Sequence, residues 1–112
     1  MIEILQSLAI GLRIVELAGE LIAEHARFHA WVYARKPRST EAELWNLAVW
    51  DDRCESECKE AWKRFEAASD VPQVREELCS TLRSVAERFR AARANDGIDF
   101  DDPDMPEDIR NM

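Results

Sequence analysis

Apolar residues in the first third of the chain recur at alternating spacings of three and four, the period of an amphipathic helix. One stripe passes through Leu5, Leu8, Leu12, Val15, Gly19, Ile22, Ala26, His29 and Tyr33. A second passes through Ile10, Ile14, Leu17, Leu21, Glu24, Phe28 and Trp31. At about 100° per residue the two stripes lie nearly back to back. The pattern predicts a first helix from Ile2 to Arg35. It ends where Arg35 and Lys36 suit the negative end of the helix dipole and Pro37 cannot continue.

Thr40 and Glu43 have the spacing of a capping box, so a second helix is expected over 41–68. Its apolar seam is Leu44, Leu47, Asp51, Cys54, Cys58, Ala61, Phe65 and Ala68. A boundary at Asp70–Gln73, with Asp70 as N-cap and Pro72 in the first turn, opens a third helix over 71–94. Its stripe is Val71, Val74, Leu78, Leu82, Val85, Phe89 and Ala92. Asn95-Asp96-Gly97 supplies a stop, since Asn and Gly tolerate a left-handed backbone. Short loops make successive helices antiparallel. The expected fold is therefore all-α: an up-down-up three-helix bundle over 1–97, with a disordered acidic tail over 98–112.

Composition agrees with one such domain: 112 residues, 46% hydrophobic and 34% charged, with few Gly and Pro to break helices. Three cysteines make an odd set, which argues against a disulfide framework and for a reduced, cytoplasmic setting. No targeting segment is expected from Met1-Ile2-Glu3, and the uncharged run Ile4–Leu12 is too short to span a membrane. The net charge is −8. Residues 96–112 hold seven acids against Arg110 alone, a net of −6, which leaves −2 on residues 1–95. Acidity is therefore mostly a tail property, and binding of nucleic acid is not expected.

His25 and His29 are four apart, as are Cys54 and Cys58, a spacing that brings metal ligation to mind. Counting outward from the loop sets Cys58 roughly 17 Å further from the turn than His29 at about 1.5 Å per residue, so the four do not converge. A smaller set around His25, Cys54 and Cys58 is the surviving metal alternative; the expectation is no metal and no cofactor. Asp51 interrupts an apolar seam and needs a partner if buried. His25, level with it across the antiparallel pair, is the expected partner, with Arg53 or a water as the alternatives. The pair resembles the orienting half of a catalytic triad with no nucleophile to complete it. No CxxC, Gly-rich phosphate loop or HExxH pattern occurs, and no catalytic residue is assigned.

Three features point to binding instead. Helix one is apolar on two faces, while the other two helices would cover only one. Ile10, Ile14, Leu17, Leu21, Phe28 and Trp31 are expected to form a homodimer or partner interface, the rival being a sandwich with helices two and three on opposite sides of helix one. The first loop and the end of helix three are expected to share a pole rich in cations and aromatics: Tyr33, Arg35, Lys36, Arg38, Trp45, Arg90 and Arg93. Residues of these types are enriched at binding hot spots. The tail carries Phe100, Asp101, Asp102 and Met105, an acidic and apolar mixture typical of segments that order on contact. The expected function is a non-enzymatic protein-binding module, an inhibitor, adaptor or regulator of a larger assembly. Small, acidic, motif-free helical chains are similar in gross character to phage-encoded inhibitors of bacterial defence, anti-CRISPR proteins among them. The alternatives are a nucleic-acid-linked regulator using the basic pole under an autoinhibitory tail, and a bundle responsive to metal or redox through Cys54 and Cys58.

Overall fold

The computed structural model describes residues 2–95, with side chains from Gly11 onward. The tail residues Phe100, Asp101, Asp102 and Met105, and the side chain of Ile10, lie outside the described residues. Three α-helices are described: α1 (Ile2–Arg35), α2 (Glu41–Ala67) and α3 (Pro72–Ala94), with a 3-10 turn at Lys36–Arg38. The boundaries follow the expected punctuation closely. Thr40 caps α2, its hydroxyl accepting from the Glu43 N–H at 3.1 Å. The start of α3 differs. Val71, not Asp70, is the N-cap, and no side chain caps it; Pro72 at the first helical position tolerates this because it has no N–H to satisfy. Asn95 closes α3 at φ −92°, ψ 3°, so its own backbone is not left-handed.

Ion pairs between helices fix the topology. Along the α1–α3 seam, Arg13 meets Glu76 at 3.5 Å and Glu20 meets Arg90 at 2.9 Å, and Glu24 meets Arg93. Numbers rise together, so α1 and α3 are parallel. Between α2 and α3 the pairs Arg64–Glu77 and Glu57–Arg88 run in opposite order, the antiparallel sense. The bundle is up-down-up, as expected.

The faces of α1 are reversed from the expectation. Ile14, Leu17 and Phe28 are buried, and Leu21 and Trp31 pack against the same core. These side chains hold this chain together and are not an outward interface. The other stripe is the exposed one: Leu12 is 65% exposed, Val15 68% and Ile22 70%. The reason is volume and charge together. The inward stripe carries the large rings, and its one acid, Glu24, is where α3 brings arginines.

Two apolar clusters form the core. Near the α1–α2 turn, Phe28, Leu47, Trp50, Cys54, Val85, Phe89 and Ala92 interlock. The rings of Phe28, Trp50 and Phe89 sit with centroids 5.0–5.3 Å apart, the Trp50–Phe89 pair edge to face at 87°. Toward the other end, Ile14, Leu17, Ala61, Leu78, Cys79 and Leu82 pack together. The residues Cys79, Ala86 and Ala92 give α3 a wide buried face of small side chains, which lets it lie close against both neighbours. Among the described residues, no helix is long and apolar enough to cross a membrane.

Candidate functional site

The expected Asp51–His25 pair forms and gains a third member. The Nε2–H of His25 donates to one carboxylate oxygen of Asp51 at 2.9 Å. The Nε2–H of His29 donates to the other, also at 2.9 Å. Side chains four apart on a helix stack one above the other, so both imidazoles reach the same carboxylate, one turn apart. Their rings lie 4.2 Å apart, and His25 leans on Phe89 at 5.1 Å. The Asp51 side chain is 16% exposed, whereas both imidazoles reach solvent. Beside this clasp lies an open cavity of about 330 Å³, lined by His29, Asp51, Tyr33, Lys36, Leu44 and Ala48 among others.

A second polar cluster sits on the opposite side of α1. Glu24, 3% exposed, accepts from Arg27 at 2.6 Å and from Arg93, with the Arg90 Nε at 3.6 Å. Burial pushes its carboxyl up, but the hydrogen bonds from Arg93 and Arg27 and the charges of Arg93 and Arg90 together outweigh this. Glu24 therefore titrates below the ordinary carboxylate value. Glu20 holds the outer nitrogen of Arg90.

These pairs correct the basic pole. α3 ends beside Glu24, about eleven residues before α1 ends, roughly 17 Å at about 1.5 Å per residue. Arg90 and Arg93 thus lie away from the loop and are held by Glu20 and Glu24. They do not join Tyr33, Lys36, Arg38 and Trp45, which are exposed at the loop end. Arg35, also there, stacks over Trp31 at 4.6 Å. What remains at the loop is a smaller basic and aromatic patch.

The cysteines are apart from the histidine clasp in chemistry. Among the described residues the group able to hold a metal is His25, His29 and Asp51, so the thiols are not its members. All three are free. Burial pushes the Cys54 thiol up to about 12 and the Cys58 thiol up to about 11, the nearby Arg88 charge only partly offsetting it. Such thiols are poor nucleophiles and poor redox sensors.

Outward from the core, α1 presents a face without charge. Leu12, Val15, Gly19, Ile22, Ala26, Ala30 and Tyr33 follow one another along it, all exposed. A Cβ added at Gly11 or Gly19 would meet nothing within 4 Å. Glu16 and Arg27 border this face on one side and His29 on the other. The sequence contained this face in full, but the periodicity alone did not say that it turns outward. No family model, curated protein or solved structure matches the chain.

Proposed function

We propose that the chain is a non-enzymatic protein-binding module, an inhibitor, adaptor or regulator of a larger assembly, which works as a homodimer through the outer face of α1. The observation that carries this is the uncharged face from Gly11 to Ala34, about 36 Å of helix at about 1.5 Å per residue. Exposed apolar surface on that scale marks a contact. The occupant is a second copy, because the face complements itself when two α1 helices run antiparallel. Leu12 and Val15 of one copy then lie against Ala26 and Ala30 of the other, and Gly19 lies against Ile22. In this register Glu16 of each copy falls opposite Arg27 of the other. Large meets small and acid meets base in the same register. A contact of this kind covers on the order of 600 Å² per copy, the low end for stable pairs, so association is expected at micromolar concentration.

Light scattering tests it. The wild-type chain of 12.9 kDa should weigh twice that at high concentration. Val15→Glu with Ile22→Glu should give a helical monomer. Leu17 and Leu21 are unsuitable for this purpose, since they belong to the core. A wild-type monomer at every concentration overturns the self-pairing, and so does a dimer that survives the double substitution.

A further inference from the structure

We propose that His25, His29 and Asp51 form a binding site for one divalent transition-metal ion of the zinc class. Three observations converge. The donor set is two imidazoles and a carboxylate, the mixture that borderline cations such as zinc prefer. The three donor atoms lie within 4.8 Å of one another, close enough for side-chain rotation to bring all of them onto one ion. Two of the three stand i, i+4 on a rigid helix while the third comes from its neighbour, so the ion would join α1 to α2.

The distances admit an ion with little movement. Each Nε2 is 2.9 Å from an Asp51 oxygen. With metal bonds of about 2.0–2.2 Å, that separation gives each nitrogen an angle of roughly 90° to its own Asp51 oxygen, which side-chain rotation must open toward tetrahedral geometry. His29, which is exposed, makes that adjustment by side-chain rotation, while His25 stays half-buried against Phe89. To bind, each imidazole must offer the lone pair of Nε2, so the Nε2 proton passes to solvent as Nδ1 takes one up, a change of tautomer that leaves the neutral ring with one N–H. Three protein ligands leave a fourth position open. The cavity of about 330 Å³ touching both His29 and Asp51 gives room there for water or a small anion, with Lys36 and Tyr33 on its wall. The site lies between the two helices that make up the loop end. Metal binding would brace that end with His25 still packed on Phe89 of α3.

Titration of the full chain with zinc(II), followed by calorimetry, tests the site. One equivalent should bind with micromolar or tighter affinity. His29→Ala, at an exposed position, and the isosteric Asp51→Asn should each weaken binding at least about tenfold. Both variants should keep the wild-type helix content. Cys58→Ser should bind as wild type. Cobalt(II) should give a visible spectrum without the strong near-ultraviolet band of a thiolate ligand. Failure to bind one equivalent overturns the proposal and leaves a hydrogen-bonded clasp. Binding that survives His29→Ala, or that vanishes in Cys58→Ser, overturns it as well.

Discussion

Replacing Glu24 by Gln removes one charge from the inner stripe of α1 while keeping its volume. In the native chain this carboxylate is 3% exposed and receives Arg27 and Arg93, with Arg90 at 3.6 Å. Removing one partner of a fully buried ion pair costs about 3–5 kcal/mol, because the charge left behind stays desolvated. Here the side chains left behind are only partly enclosed: Arg93 is 27% exposed and Arg27 57%. Both can turn toward water, and Gln can still accept one hydrogen bond. About half the buried cost is therefore expected, about 2 kcal/mol, or a fall in Tm on the order of 10 °C. Urea unfolding followed by tryptophan fluorescence measures it, at one protein concentration throughout. Arg93→Met completes a double-mutant cycle, in which about 1–2 kcal/mol of coupling should appear. The pH dependence has a definite sign. A carboxyl held below its ordinary value stabilises the fold above that value, and the contribution is lost as pH falls through the folded one. Wild type and Glu24→Gln should then converge in stability only as pH falls below the ordinary carboxylate range. A change under about 0.5 kcal/mol at neutral pH, or a gain in stability, would refute the account of Glu24 as a net stabiliser.

Gly19→Ala gives opposite signs in the two states of the chain. The added Cβ meets nothing in the monomer, so the variant should be up to about 1 kcal/mol more stable at low concentration. Its dimer should be weaker, because Gly19 is where the two helices come closest; unchanged or tighter dimerisation would contradict the proposed register. The thiols should be inert: at about pH 8, maleimide should label Cys54 only after unfolding. A thiol raised by burial favours the fold while protonated. Stability should therefore fall as pH rises above the ordinary thiol value toward about 12, and labelling of native Cys54 at the rate of a free thiol would contradict its burial.

Helix positions were legible because period and punctuation are local. Pro37, Thr40 and Pro72 each act within a turn of themselves, and the observed ends fall within a residue or so of the expected ones. The inward face of α1 was not legible. Two apolar stripes of similar length fix the angle between them but not which one meets the other helices. Glu24 looked like a flaw in the inner stripe, yet Arg93 stands 69 positions away and makes it an anchor. The basic pole failed for a similar reason. Its assembly needed the register of α3 against α1, which depends on those same ion pairs. The Asp51–His25 pair was legible from counting residues back from the loop. His29 was missed because level-counting assigns one partner per height, whereas a carboxylate has two oxygens and takes imidazoles from two successive turns.

The early end of α3 beside Glu24 divides the molecule by local stability. Below that level three helices share two apolar clusters; beyond it α1 and α2 continue as a pair, with Trp31 and Val32 packed against the end of the first cluster. Opening the loop end beyond Phe28 and Leu47 leaves that cluster in place, so the amides of that end are expected to exchange with solvent through a partial opening that leaves the rest of the fold intact. The His25–His29–Asp51 clasp stands at the root of this segment. Tightening the clasp would slow exchange from about residue 28 to residue 48 while global unfolding shifted far less. Ligands at the loop end can thus be felt as a change in breathing of one helical hairpin, with no change in shape.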